Sequence, residues 1–186
     1  MIVFFKNRSE YVILDLMGRG DLMSKLLPDL YVDTIFDIDL ISLKSKGIDS
    51  IIVDIDNTLV SWESEYASKE VVDWFKRIKE LGFKCCIVSN NTKDRVVKFN
   101  KSIEVYAIHR AVKPRKKPFQ KAIKLMNTTP GKTVVIGDQI FTDILGGNRL
   151  GAFTILVVPI SKKEFLWTRI IRKLERRILR KIEKVS

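Results

Sequence analysis

The chain has 186 residues, enough for one domain with a sizeable core and an appendage, and its 46% apolar content is that of an ordinary globular protein. Its net charge of +12 is not ordinary, and it asks for an anionic partner: nucleic acid, an anionic membrane surface or a phosphorylated substrate. Two cysteines and one histidine exclude a disulfide scaffold and a Cys/His zinc site, and no apolar run nears the roughly 20 residues that a membrane-spanning helix needs.

Residues 1–22 begin apolar but are soon broken by Lys6, Arg8 and Glu10. They lack the basic start and long apolar centre of a signal peptide, and they form an N-terminal extension without an assigned role. From there, strands are predicted at 50–54 (SIIVD), 83–88 (FKCCIV), 104–108 (EVYAI), 133–137 (TVVIG) and 153–158 (FTILVV). These near-continuous Val/Ile runs are the pattern of parallel strands buried on both faces. Cys85 and Cys86 are neighbours on one of them and so point to opposite faces, as core thiols of a reducing compartment rather than a disulfide.

Helical spacing fills the gaps. Val71, Val72, Phe75, Ile78 and Leu81 line one face of 66–81, which Gly82 stops; Thr92 caps a helix to about 101. Phe119, Ala122, Ile123 and Met126 repeat after Pro118, and 140–150 form a short helix ending near Gly151. Strands alternating with helices predict a doubly wound α/β sheet over residues 23–160.

The segment 161–186 differs. It holds ten Lys/Arg against three Glu, with Trp167, Ile170, Ile171, Leu174, Ile178, Ile182 and Val185 at spacings of three and four. That pattern predicts a basic amphipathic helix. Three partners remain open for it: the protein's own body, an anionic membrane surface, or nucleic acid, for which no base-reading module is visible.

Ligands of open parallel sheets sit beyond the carboxyl ends of the strands. The first predicted strand ends in Asp54-Ile55-Asp56-Asn57-Thr58, the second in Ser89-Asn90-Asn91, and the fourth in Asp138 with Asp143 five residues on; "AVKPRKKPF" follows the third. Carboxylates gathered on one edge need a cation. Without Cys or His ligands, a hard oxygen-bound ion is expected, Mg²⁺ first. A carboxylate nucleophile with a metal, a lysine and a hydroxyl around it suits phosphoryl transfer.

The ordered set D-x-D-x-T, strand-end Ser, Lys-Pro and G-D-x-x-x-x-D resembles the haloacid dehalogenase (HAD) superfamily of phosphatases. The stretches "LLPDLYVDTIFDIDL", "DIDNTLV", "VSNN", "GDQIFTDILGGNRLG" and "TILVVPI" are similar to its YqeG-type subfamily IIIA members, whose eukaryotic relatives are phosphatidylglycerophosphate phosphatases. The resemblance implies a HAD-like Rossmannoid three-layer fold with a central parallel sheet. It also implies roles. Asp54 would be the nucleophile, Asp56 the general acid and base, and Lys113 the cation that neutralises developing charge. Thr58 would brace the loop, Ser89 would hydrogen-bond the phosphoryl oxygens, and Asn90 would line the substrate site. Asp138 would bind Mg²⁺ with the Asp54 carboxylate and the Asp56 backbone carbonyl, while Asp143 supports the metal or orients the lysine. Lys116 and Lys117 remain rival candidates for the lysine.

Neither the roughly thirty residues between Thr58 and Ser89 nor the two dozen before Lys113 leave room for an inserted cap domain. Capless members of the superfamily have open sites, which fit a lipid headgroup or a macromolecule. The expectation is a Mg²⁺-dependent phosphomonoesterase, with phosphatidylglycerophosphate as the leading substrate and a cytoplasmic location that extends to peripheral attachment at the inner face of the membrane. The alternatives are a phosphatase of soluble nucleotide or sugar phosphates, and a non-catalytic RNA- or ribonucleoprotein-binding protein.

Overall fold

The computed structural model describes residues 3–4 and 24–161. Its strands are β1 (Val3–Phe4), β2 (Leu30–Val32), β3 (Ser50–Val53), β4 (Lys84–Val88), β5 (Tyr106–Ile108), β6 (Thr133–Gly137) and β7 (Phe153–Val157). They form one sheet in the order β1-β2-β7-β6-β3-β4-β5, with β1 antiparallel to β2 and every other pair parallel. The helices are α1 (Leu40–Ser45), α2 (Lys69–Glu80), α3 (Lys93–Asn100), α4 (Lys116–Met126) and α5 (Leu145–Leu150).

Period-two alternation along the strands builds the three layers. Ile51, Val53, Cys85, Ile87, Val134 and Ile136 point to one face, where Leu43, Val71, Phe75, Ile78, Val96 and Phe99 of α1–α3 cover them. Ile52, Cys86, Val88 and Val135 point to the other, against Phe119, Ala122 and Met126 of α4. Leu156 of β7 shares that second face with Ile144 and Leu145 at the start of α5. Each of the Val, Leu, Ile, Phe and Met side chains here contributes roughly 1.5–3 kcal/mol on burial. The two cysteines are buried and free, on opposite faces, and burial pushes both thiols up to about 12.

The predicted strands are all present, trimmed by a residue or two at their ends. The helix expected from 66 begins at Lys69 behind a Ser68 cap, and the Thr92 hydroxyl caps α3 by accepting the Arg95 amide. The 140–150 helix opens on a π-helical turn, Ile140–Ile144, before α5 proper, which ends at left-handed Gly151. Two short strands and one short helix add to the sequence reading. β2 pairs with β7, and Val3–Phe4 of the unassigned N-terminal stretch pair with β2 at the sheet edge. The basic helix expected over 161–186 lies, beyond Ser161, outside the described residues. Among those described, no helix is long and apolar enough to cross a membrane.

The strand order has a functional consequence. The chain runs from β3 outward through β4 to β5, then returns to the other side of β3 for β6 and β7. The sheet therefore switches direction between β3 and β6, and a crevice opens beyond their carboxyl ends. Only loops and α2 lie between β3 and β4, so among the described residues no inserted domain covers that crevice.

Gly146 and Gly147 let α5 settle closely. A Cβ on Gly146 would lie 2.4 Å from the Phe119 ring, and one on Gly147 would lie 2.6 Å from Thr154 Cγ2. Gly146→Ala is expected to destabilise the protein by about 1–3 kcal/mol through overpacking. Urea denaturation would show this as a lower midpoint, and an unchanged midpoint would contradict the packing role.

Candidate active site

Asp54 follows the last residue of β3, the strand at the switch point. Its amide donates to the Ile136 carbonyl of β6 at 3.1 Å, which locks the strand end in place. The chain then folds back on itself: the amides of Thr58, Leu59 and Val60 all turn toward the Ile55 carbonyl, and the Asn57 amide donates to the Val60 carbonyl at 2.7 Å. Asn57 adopts φ +61°, a left-handed conformation that asparagine tolerates better than most residues. The turn brings Thr58 Oγ1 to Asp138 Oδ1 at 3.1 Å, beyond the neighbouring strand β6.

Lys113 is the lysine that reaches this edge. Its Nζ lies 2.8 Å from Asp54 Oδ1 and 2.7 Å from Asp143 Oδ1, and its side chain is 3% exposed. Lys116 and Lys117 sit exposed in the first turn of α4. The loop that carries Lys113 is pinned to the Ser89–Asn91 loop: the Lys113 amide donates to Asn90 Oδ1 at 2.7 Å, Ala111 to the Ser89 carbonyl, and Arg110 to the Asn91 carbonyl. Val112, just before the lysine, holds φ +56°. A β-branched residue there is strained by on the order of 1–3 kcal/mol, and such strain concentrates at functional sites.

Asp143 is placed by the π-helical turn. Its Oδ2 accepts from the Gln139 amide at 3.3 Å and from Thr142 Oγ1 at 3.2 Å. Gly137 makes room for it, since a Cβ there would fall 2.3 Å from Asp143 Cγ. Oxygens of Asp54, Asp138 and Asp143 all lie within 4.8 Å of one another.

The other predicted residues stand around this cluster. Ser89 is 1% exposed, and its Oγ accepts the Asn91 amide at 3.1 Å. Asn90 turns its side-chain carbonyl to the Lys113 backbone, which makes it a brace for the lysine loop. The Asp56 carboxylate stays outside the three-carboxylate cluster. Its Oδ2 accepts from Asn91 Nδ2 at 3.1 Å and its Oδ1 from Arg95 Nη2 at 3.0 Å. Arg95 did not emerge from the sequence. A signal was present: a cation in the first turn of a helix opposes the helix dipole and needs another reason to be there. The single histidine, His109, is exposed. A cleft of about 390 Å³ lined by Lys79, Phe83, Lys84, Cys85 and Tyr106 opens near the amino ends of β4 and β5, away from these groups.

Electrostatics suit this cluster to a cation. Burial pushes the Asp54 carboxyl up to about 7; Lys113 opposes the shift, while Asp143 and Asp138 add to it. Burial alone would lower the Lys113 pKa, but Asp143 and Asp54 outweigh it and raise it. A single lysine sits among three clustered carboxyl groups. An oxygen-bound divalent cation would balance them, and the all-carboxylate donor set fits a hard ion.

The shift has a measurable sign. Without metal, the folded protein keeps a proton on Asp54 that the unfolded chain releases near pH 4. The associated stability is present below about pH 4 and is lost as pH rises through about 7. In chelator, raising the pH from 5 to 8 is expected to lower the unfolding free energy of wild type more than that of Asp54→Asn. Identical pH dependence in denaturant titrations of the two proteins would contradict the buried-carboxylate account.

Comparison with known proteins agrees with the motifs. A family model described as haloacid dehalogenase-like hydrolase matches residues 5–151. The chain is 45% identical over 153 residues to "Probable phosphatase YqeG" of Bacillus subtilis (strain 168), covering 82% of this chain and 89% of that protein. It is 30% identical over 169 residues to the chloroplastic/mitochondrial phosphatidylglycerophosphate phosphatase 1 of Arabidopsis thaliana, covering 84% of this chain and 48% of that one. Among solved structures, an uncharacterized protein from Listeria monocytogenes serotype 4b shares the fold, with a TM-score of 0.51 at 18% identity over 63% of this chain and 85% of that one. The chain therefore belongs to the haloacid dehalogenase-like hydrolases, and within them it is a phosphatase of the YqeG type.

Proposed function

We propose that the protein is a Mg²⁺-dependent phosphomonoesterase that works through an aspartyl-phosphate on Asp54, with phosphatidylglycerophosphate as its leading substrate. The observation that carries the reading is Lys113 Nζ placed between Asp54 and Asp143, beside an oxygen cluster completed by Asp138.

In the first half-reaction an Asp54 carboxylate oxygen attacks phosphorus, and the bond from phosphorus to the ester oxygen breaks in line with it. Asp56, two residues on, must enter this step protonated, and it passes that proton to the departing oxygen. Lys113 faces the oxygens on which negative charge builds, in a buried setting where one positive charge counts for more than in water. The Ser89 hydroxyl accepts the Asn91 amide, so its own proton is available to a phosphoryl oxygen. In the second half-reaction Asp56 takes a proton from water as the water oxygen attacks phosphorus. The Asp54–phosphorus bond breaks and inorganic phosphate leaves. Asp54, Asp138 and Asp143 would hold the Mg²⁺, with Thr58 fixing the Asp138 carboxylate. When bound, the ion supplies charge neutralisation at the phosphoryl oxygens.

Three features support a lipid substrate: similarity to a phosphatidylglycerophosphate phosphatase, a crevice that no inserted domain covers, and a net charge of +12. The test is phosphate release from phosphatidylglycerophosphate in mixed micelles and from a panel of soluble phosphomonoesters, with and without Mg²⁺. Wild type should favour the lipid, and Asp54→Asn should lower kcat on the order of 10⁴-fold or more. Release from soluble esters alone would discard the lipid. No release from any ester by folded, Mg²⁺-supplied protein would discard the phosphomonoesterase.

A further inference from the structure

We propose that Arg95 is a positioning residue for Asp56: it holds the Asp56 carboxylate apart from Lys113 and from the Asp54–Asp138–Asp143 cluster, aimed for proton transfer. The inference rests on the phosphatase reading of the site.

Asp56 and Asp54 are two residues apart on one turn, and Lys113 is the strongest cation nearby. An unrestrained Asp56 carboxylate would be drawn toward it. Instead both its oxygens are taken from the other side, Oδ1 by Arg95 Nη2 at 3.0 Å and Oδ2 by Asn91 Nδ2 at 3.1 Å. These donors come from the α3 side of the crevice, whereas Asp143 and Asp138 come from the β6 side. The cluster of three carboxylates accordingly excludes Asp56.

Stability does not explain the arginine. Its side chain is 10% exposed, and its Nε and Nη1 are buried with no hydrogen-bond partner. A guanidinium offers five donors in a rigid fork, and burying it for one contact is a poor use of it. Breaking a buried pair costs stability when a buried charge is left behind, but the Asp56 side chain is 22% exposed and can be hydrated. Its guanidinium carbon lies 5.8 Å from the centre of the Phe99 ring, a contact that a leucine side chain can also make. A residue that adds little stability, opposes the helix dipole and fixes the orientation of one carboxylate is best explained by that carboxylate's work.

The test compares kcat/KM for an alkyl phosphomonoester with that for 2,4-dinitrophenyl phosphate. This ratio covers only the steps through departure of the leaving group. Dinitrophenolate leaves without a proton, whereas an alkoxide needs one. Arg95→Leu should lower the alkyl-to-aryl ratio by about 10² or more, the scale of a general acid's contribution, while its melting temperature stays at or above that of wild type. Arg95→Lys, which can still give Asp56 one cationic donor, should return the ratio partway. Equal losses on both esters would overturn the proposal, as would a fall in melting temperature that accounts for the lost activity. A lysine variant no better than the leucine one would also overturn it. A wild type inactive on both esters would overturn the phosphatase reading itself, and the inference with it.

Discussion

One buried ammonium group shared between two buried carboxylates organises the edge of this sheet. Lys113 Nζ lies within 2.8 Å of Asp54 and 2.7 Å of Asp143, on residues from loops that follow different strands. Each partner is held by its own backbone device. Asp54 is fixed by the hydrogen bond its amide donates to the Ile136 carbonyl of β6, and Asp143 by a π-helical turn and by the absence of a side chain at Gly137. Lys113 is fixed by a strained loop tied to Asn90. Burying charges is costly in itself, and a buried ion pair is weak evidence of stabilisation. The arrangement is better understood as stored electrostatic readiness: a site short of positive charge, preorganised for a cation and a phosphoryl group.

The parallel sheet makes this possible cheaply. All strands around β3 end on the same side, so a single topological feature delivers carboxylates from β3 and β6, a hydroxyl from β4 and a lysine from the loop after β5 to one crevice. The core that supports it is apolar on both faces of the sheet. The polar groups confined to the strand ends can then be selected for chemistry, because the strands below them supply the stability. A second cation, Arg95, lies across the crevice from Lys113 and keeps the two aspartates of the first motif in different surroundings.

Much of this was legible in the residues. Runs such as SIIVD and TVVIG read as buried strands because parallel strands are apolar on both sides, and the polar residue that ends each run falls at the crevice. Asp138 and Asp143 could be placed on that edge from their positions at and just after a predicted strand end, whereas only the family resemblance favoured Lys113 over Lys116 and Lys117. Less was visible where a few residues act without a pattern. Leu30–Val32 and Val3–Phe4 are too short to show periodicity, and they become strands only through pairing with β7 and with each other. Leu40–Ser45 is a helix of six residues behind an Asp39 cap, below the length at which a helical repeat can be counted. Arg95 was hidden for a different reason: its place against the helix dipole is shared by Lys93 in the same turn, and only three-dimensional proximity reveals that Arg95 faces Asp56. The contact that makes Gly137 indispensable is equally invisible, because it depends on where the π-turn sends Asp143.

Asp54 is the proposed nucleophile that takes the phosphoryl group. The most direct measurement is to quench the enzyme during turnover of a phosphomonoester, trap the acyl-phosphate chemically, and map the modified residue by peptide mass spectrometry. A label on Asp54 that is lost in Asp54→Asn is the predicted result. A label on Asp56 or Asp138, or continued turnover by Asp54→Asn, would contradict the assignment of the nucleophile and the role given to the lysine that faces it.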